Sequence, residues 1–359
     1  EPHWDQYLKY ALDPRPDKPP AESSTFEHLR SVLYWTPDNA KAHIRLANLL
    51  ITQFEHLQRE STNVMPLQQV CEAAFDSRDY FHSREELDAW LDRAIGNHRK
   101  MLDLALRHLH RGLSQNALMG EGYVHLSDLC FLEGASRPVK AAYLEQALKV
   151  RPNDGVVLLA AGSAAALRQD ADAVLKYWRP VLRCREEERR AMARLLVSTQ
   201  LPLEFVLEQF QPDLPATRLL YDQYAPLVPP AALEPLLAYY GQSLQQKIRL
   251  VDAEAAAPLW LELHSVFNRL HRPAQALECL QRAIAARPGD FDIRYTLGHE
   301  LKNQGDFVAA EPHLRWCVAR KPNNAQIGVE LAEAVKGRID QQSEITTARA
   351  QSPGQSAWK

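Results

Sequence analysis

Histidine is the side chain best suited to bind a metal or move a proton near neutral pH. His108 and His110 lie two positions apart. On a helix their side chains would point about 200° apart and could not share a metal ion. His98 has Ala94 and Leu102 four positions to either side, so it has no ligand one turn away. The histidines therefore predict no metal site.

The chain carries no sequence motif of a known catalytic site. G-x-S-x-G, the phosphate-binding P-loop, H-E-x-x-H and the dinucleotide-binding glycine run do not occur. The charged run REEERR at Arg185–Arg190 could recognise a charged partner, but its i, i+4 spacing is typical of a solvated helix face. We therefore predict no catalytic residue, no cofactor, no metal and no enzymatic activity.

The cysteines predict neither a disulfide framework nor a metal site. There are five of them, an odd number without a C-x-x-C pair. They are Cys71, Cys130, Cys184, Cys279 and Cys317. Cys317 occupies the small slot of a repeat, so we interpret it as a small buried hydrophobic residue. The scatter of the five favours a reducing compartment without excluding an oxidising one. The compartment stays undecided between cytoplasmic and extracytoplasmic.

Composition predicts a folded all-α chain. Of 359 residues, 46% are hydrophobic, only 14 are glycine, and alternating β-branched runs are missing. The net charge of −3 gives no basic stripe for nucleic acid. No apolar stretch reaches the 18 residues that a membrane span needs, so none is predicted in this segment.

A 34-residue repeat is the clearest pattern in the sequence. Ala257–Asn324 reads twice in one frame, so that Leu263, Ala276, Leu280 and Pro288 recur as Leu297, Ala310, Leu314 and Pro322. A fixed period of this length is typical of stacked helix pairs.

Both copies resemble tetratricopeptide (TPR) repeats. Trp260, Leu263 and Phe267 occupy first-helix positions of the motif, and Leu297 and Gly298 do so in the second copy. The resemblance implies an α-solenoid, a right-handed superhelix of antiparallel helix pairs. It also implies a protein or peptide ligand along the first helices, and no nucleic acid.

The repeat pattern predicts five segments along the chain. These are a proline-rich linker or docking segment (1–25), a TPR-like array (26–185) with a helical insertion at about 53–99, degenerate helical hairpins (186–256), C-terminal repeats with a capping helix (257–338) and a disordered polar tail (339–359). Within the array, Ala40–Thr52 and Met101–Leu113 are expected to form one helix pair across the insertion. A capping box, Ser83-x-x-Glu86, begins a helix inside it.

Two helix expectations are more specific. The segment Val156–Leu167 is almost wholly apolar or small, which predicts a helix buried on more than one side. The final helix of the array, which corresponds to the first helix of a further repeat, is expected to end at Lys336–Arg338.

Positions that face the ligand in TPR proteins give the candidate partner-binding residues. The resemblance places Lys41, Ile44, Asn48 and Ile51 there in the first full helix, and Asp292 in the last copy. The residues we predict to bind a partner are Asn48, Leu261, Ser265, Asn268, Arg269, Tyr295, His299, Lys302 and Asn303. The insertion at 53–99 is an alternative binding element, because insertions in repeats often fall on the binding face.

Three functions remain open at this stage. The first is a non-catalytic scaffold that holds a peptide or partner helix. In the second, the non-Met start, the aromatic and proline-rich lead-in and QFQPDL at Gln209–Leu214 resemble TPR tails of bacterial O-antigen ligase-like membrane glycosyltransferases. This segment would then be attached to a membrane domain. The third, an α-toroid hydrolase, would need carboxylates that converge at helix ends.

Overall fold

The computed structural model describes residues 22–60 and 65–351. In these residues it contains eighteen α-helices, four short 3₁₀ turns and no strand. The helices are α1 (Glu22–Trp35), α2 (Ala40–Glu60), α3 (Leu67–Ser77), α4 (Arg84–Ile95), α5 (Arg99–Gln115), α6 (Gly120–Leu129), α7 (Arg137–Val150), α8 (Gly155–Leu167), α9 (Ala171–Val181), α10 (Glu186–Ser198), α11 (Leu203–Phe210), α12 (Leu214–Tyr224), α13 (Glu234–Ile248), α14 (Ala253–Arg269), α15 (Pro273–Ala286), α16 (Phe291–Asn303), α17 (Phe307–Arg320) and α18 (Ala325–Gln351).

The chain divides into two compact units. Unit 1 ends at Met192 and unit 2 begins at Ala193, within α10. The predicted all-α fold with a helical insertion and a degenerate middle section is confirmed. The proline-rich segment predicted at 1–25 falls mainly on residues 1–21, which lie outside the described residues.

In unit 1, helix pairs follow one another along the chain. Helix α2 packs most extensively against α5, and α6–α7 and α8–α9 form the next pairs. The helices α3 and α4 lie between α2 and α5 in sequence. Their buried side chains, among them Leu67, Phe75 and Leu91, join the same hydrophobic core as α2 and α5. The insertion is therefore part of the core of unit 1.

Local sequence sets the start of several helices. Ser83 caps α4 by accepting a hydrogen bond from the Glu86 backbone N–H at 3.3 Å, as its motif predicts. The Glu86 carboxylate reaches back one residue further than expected, to the backbone N–H of His82 at 2.7 Å. Asp154 and Asp290 cap α8 and α16 in the same way, one residue before each first helix of a repeat.

Small residues allow the paired helices to approach closely. A Cβ built on Gly162 of α8 would lie 2.1 Å from the Trp178 ring of α9, so only glycine fits this crossing. The Trp178 indole N–H donates to the backbone oxygen of Leu159 at 3.2 Å. Ala276 and Ala310, which occupy the small slot of the motif, are fully buried.

Helix α8 contacts α6, α7 and α9, so it is buried on more than one side, as predicted for Val156–Leu167, and it keeps one exposed face. Val157, Ala161 and Ala165 are buried, whereas Ser163 and Leu167 are exposed, Leu167 to 62%. The small residue Gly162 allows the close contact with α9. The opposite face lines an open cleft.

Unit 2 contains two regular helix pairs, α14–α15 and α16–α17, followed by α18. Before them, α13 packs against α11, α12 and α14. The segment 186–256 that lacks the repeat motif is therefore still built of helices.

The prediction that the last helix ends at Lys336–Arg338 and leaves a disordered tail from 339 is wrong for residues 339–351. Helix α18 continues to Gln351. The Arg338 guanidinium donates to the Glu311 carboxylate at 2.6 Å, and the Gln341 amide donates to the Gly305 oxygen at 2.9 Å. The helix continues through Gly337, where a Cβ would lie 2.6 Å from the Phe307 ring. Residues 352–359 lie outside the described part.

Candidate functional site

The predicted partner-binding residues of α16 pair with the next first helix. The Tyr295 hydroxyl donates to Glu330 Oε1 at 2.8 Å, and His299 Nδ1 lies 2.9 Å from Glu330 Oε2. Lys302 Nζ donates to Glu333 Oε2 at 2.7 Å. These three side chains therefore hold α16 to α18.

The same arrangement joins α14 to α16. Asn268 Nδ2 lies 3.0 Å from Glu300 Oε1 and 2.9 Å from His264 Nε2. Burial lowers the pKa of His264, and the Glu300 carboxylate opposes that shift only in part. Leu261 is half-buried and packs on the adjoining apolar clusters.

Three of the predicted residues in unit 2 remain exposed. They are Ser265, Arg269 and Asn303. The Ser265 hydroxyl donates to its own helix at 3.3 Å, and the Arg269 guanidinium lies 4.7 Å from the centre of the Tyr221 ring. Half of the eight predicted residues in unit 2 thus bond to the next repeat.

Glu330 takes part in two of these contacts, with Tyr295 and His299. Burial alone would raise its pKa, but the hydrogen bonds from His299 and Tyr295 outweigh it and leave the pKa below its ordinary value. Burial, followed by the Glu330 charge, raises the pKa of Tyr295 to about 12. The pair is therefore a carboxylate and a neutral phenol at neutral pH, an arrangement that joins helices.

In unit 1, the first-helix positions of α2 fall in two environments. Ile44 is fully buried and packs against Gly112 and Gly122, so its expected exposure is wrong. Lys41 is exposed. Asn48 is half-buried and donates to Glu121 Oε1 of α6 at 3.3 Å.

Asn48 lines a cleft of about 380 Å³ in unit 1. Its walls come from α2, α3, α6, α7 and α8, so a helix of the insertion closes one side of the first-helix face. The polar lining residues are Asn48, Thr52, Glu55, Gln68, Cys71, His125, Ser127, Asp128, Lys140 and Ser163. Apolar walls are provided by Ile51, Leu67, Leu144 and Leu167. This combination is typical of a site that binds a ligand with both apolar and polar groups.

Glu121, next to the cleft, is already paired. The nearby His125 ring is the main cause of its lowered pKa, with further help from the Arg45 charge. The His125 ring lies 3.7 Å from Glu121 Oε1, and Asn48 donates to the same oxygen. Glu121 is therefore an ionised carboxylate that orients its partners Asn48 and His125.

A second group of paired charges ties the insertion to α7. Arg137 donates to Glu72 and to Asp76, both at 2.9 Å, and Lys140 Nζ lies 3.5 Å from Glu72 Oε1. Burial would lower the pKa of Lys140, but the surrounding negative groups leave it raised. Lys140 is thus cationic, and its charge acts on Asp128 as well as on Glu72.

Asp128, another carboxylate of the cleft, makes no ion pair within the described residues. It lies deep among the surrounding atoms, while part of its surface stays open to the cleft. Within the described residues it makes no hydrogen bond. Burial raises its pKa, and the nearby positive charges of His125 and Lys140 do not fully offset this, while Glu55 adds to the increase.

The cleft shows no activated nucleophile. Cys71 lies 3.6 Å from Lys140 Nζ, but burial raises the pKa of its thiol to about 11. The thiol is therefore protonated at neutral pH and unreactive. The arrangement is suited to binding.

Sequence reasoning missed Glu121, His125, Asp128 and Lys140. Lys140 carried a usable signal, since it replaces the small residue of the motif in a second helix. Glu121 and His125 are four apart on α6, which also indicates a shared face. For Asp128 no local signal existed, because its surroundings come from distant parts of the chain.

The described ranges, 22–60 and 65–351, show neither a metal-binding group of side chains nor a membrane-spanning helix. They contain no group of three His, Cys, Asp or Glu side chains placed to hold a metal ion. They also contain no helix with the length and hydropathy of a membrane span.

Comparison with known proteins gives likenesses of structure alone. No protein-family profile matches the chain, and no curated protein matches it in sequence. A chain in the crystal structure of the APC/C hetero-tetramer Cut9–Hcn1 is 13% identical over 92% of this chain and 55% of its own length, with a TM-score of 0.29. This protein thus spans about half of that chain. Yeast Tom70 is 11% identical over 89% of this chain and 86% of its own, with a TM-score of 0.32.

At these scores the likenesses support no statement about a partner, and neither structure is a membrane glycosyltransferase. The second resemblance, to O-antigen ligase-like proteins, therefore stays a sequence-based hypothesis. The fold assignment depends on features of the chain itself, namely the 34-residue period and the helix pairs α14–α15 and α16–α17 that it produces. In its described residues, this protein is an all-helical, TPR-like repeat protein.

Proposed function

We propose that this protein is a non-catalytic scaffold that binds a peptide segment of a partner protein in the cleft of unit 1. The observation that carries the proposal is the cleft itself, where helix α3 of the insertion faces the first helices α2, α6 and α8. Of the predicted partner-binding residues, Asn48 belongs to this site. Those of unit 2 mainly hold neighbouring repeats together.

The size and lining of the cleft support a peptide as ligand. About 380 Å³ holds two or three side chains, and the walls alternate apolar residues with amide, hydroxyl and charged groups. Rigid helix pairs hold these groups in place, which reduces the entropy lost when a flexible peptide binds.

A cleft-filling substitution tests the proposal. A displayed library of random twelve-residue peptides is panned against the full chain, and enriched peptides are measured by fluorescence polarisation. Ser163 is exposed at the cleft wall, so Ser163→Trp should fill the cleft without disturbing the core. We expect peptides selected on the native chain to bind this variant at least about tenfold more weakly, since their side chains are excluded sterically.

Ala166→Trp is the matched control, because Ala166 is exposed on the same helix outside the cleft. It should bind the selected peptides as the native chain does. Selected peptides that bind Ser163→Trp with unchanged affinity, or a library that yields no enriched peptides, would contradict the proposal.

A further inference from the structure

The charges around the cleft are unevenly satisfied. Arg137 and Lys140 pair with Glu72 and Asp76 on the insertion side. On the opposite side, the Arg45 charge acts on Glu121. Glu121 also accepts a hydrogen bond from Asn48 and lies 3.7 Å from the His125 ring. Two lining carboxylates, Asp128 and Glu55, make no ion pair within the described residues, although the charges of His125 and Lys140 act on Asp128 from a longer distance.

Asp128 and Glu55 act on the same space. Both line the cleft, and the Glu55 charge is close enough to raise the pKa of Asp128. Two carboxylates that repel each other across a cleft are stabilised by a cation placed between them. Asp128 makes no hydrogen bond within the described residues, so a ligand cation would not need to displace an existing partner.

The neighbouring walls fit a long basic side chain. Ile51 and Leu144 are apolar and line the same cleft, and Leu167, 62% exposed, lies at its edge. Lysine and arginine bury their aliphatic stems along such surfaces while the charged end reaches a polar group.

We infer that the unit 1 cleft selects peptides with a lysine or arginine, whose cationic group binds between Asp128 and Glu55. This inference depends on the proposed function, because it names the chemistry of the ligand at the same site. The guanidinium group has the stronger geometric fit, since it can donate two parallel hydrogen bonds to one carboxylate.

Peptide pools with a fixed central residue test the inference. The pools are AXXXRXXXA, AXXXKXXXA and the same frame with citrulline, acetyl-lysine or glutamate at the centre, each measured against the full chain. Citrulline and acetyl-lysine keep the length of the side chain but remove its charge. We expect the arginine and lysine pools to bind at least about tenfold more tightly than their neutral counterparts, the usual effect of one buried ionic hydrogen bond.

Variants assign this preference to the two carboxylates. Asp128→Asn should abolish the tighter binding of the arginine and lysine pools, and Glu55→Gln should weaken it. Because Glu55 is exposed, Glu55→Gln should fold even if Asp128→Asn does not. Glu145→Gln removes an exposed charge from α7 and should leave the preference unchanged, which controls for net charge.

The outcomes separate this inference from the proposed function. Peptides that Ser163→Trp excludes but that show no basic preference would overturn the inference and leave the scaffold proposal intact. Loss of the preference in Glu145→Gln as well as in Asp128→Asn would reduce it to a general charge effect, and would also overturn the inference. Peptides insensitive to Ser163→Trp would contradict the proposed function itself.

Discussion

At the scale of single residues, a short polar contact between α2 and α5 joins two histidines. His43 Nδ1 lies 2.8 Å from His108 Nδ1, and His43 Nε2 lies 2.9 Å from the Pro37 oxygen. One proton serves the contact between the two rings, because two protonated Nδ1 atoms would repel each other. Burial, followed by the charges of His43 and Arg107, lowers the pKa of His108 to about 4.

The histidine pair predicts a loss of stability in mild acid. His108 stays neutral in the folded chain down to pH of about 4, whereas in the unfolded chain it is protonated below about 6.5. The unfolded state therefore binds the extra proton, and the free energy of unfolding falls as pH decreases from 6.5 to 4. Urea unfolding at pH 7 and pH 5 should show a smaller loss in His108→Asn than in the native chain.

His82→Gln is the control for this measurement, because His82 is exposed and its ring makes no contact within the described residues. It should lose as much stability between pH 7 and pH 5 as the native chain. An equal loss in His108→Asn would show that the buried pair does not carry the effect.

At the scale of helices, the insertion behaves as part of the fold. Arg99 at the start of α5 donates to the Asp92 carboxylate and to the Asp88 backbone oxygen of α4, both at 2.9 Å, and also binds the Asp88 carboxylate. Leu91 of α4 is fully buried in the core that α2 and α5 share. Helix α4 of the insertion is therefore held by both charge pairs and packing.

Truncation of Leu91 measures this attachment. Leu91→Ala should lower the free energy of unfolding by about 2–5 kcal/mol, the usual cost of a cavity in a packed core. Leu118→Ala, at a position 59% exposed, should change it by less than about 0.5 kcal/mol. Similar, small effects of the two substitutions in chemical denaturation would mean that α4 is only loosely attached.

At the scale of the whole molecule, the two units are compact in their own right, each with helix pairs in series. In such arrays each repeat contacts mainly its neighbours, so stability is a sum of local terms. A defect in one unit should therefore have a limited range along the chain.

Hydrogen exchange of the Leu91→Ala variant tests this range. Amides of α2, α4 and α5 should exchange faster than in the native chain, because local opening costs less there. Amides of α14–α17 in unit 2 should keep their native rates. Equal acceleration in both units, measured by mass spectrometry, would indicate a single cooperative fold.

The sequence predicted the parts of the molecule that repeat. The spacing of Leu263, Ala276 and Pro288 predicted helix pairs, since a fixed period requires each unit to bury its apolar face on the next. The pairing of Ala40–Thr52 with Met101–Leu113 across the insertion is also what α2 and α5 show. The tail prediction failed because Arg338 and Gln341 stabilise the helix through contacts with distant residues.

For the candidate site, too, the sequence pointed to some of the residues, and only the tertiary structure showed their contacts. Asn48 was found from its position in a first helix, and it lines the cleft. Tyr295, His299 and Lys302 were chosen by the same rule, and the structure pairs them with carboxylates on α18, while their part in partner binding stays a prediction.

By itself, the sequence determined the helix pairs, because local periodicity and capping act over one or two turns. Only the tertiary structure decided which charges are satisfied. Asp128 and Glu55 lie on different helices, and nothing in their local sequence shows that His125, Lys140 and the wall of α3 surround them. Burial and pairing depend on side chains brought together from 48 to 167, and the chemistry of the cleft arises from that convergence.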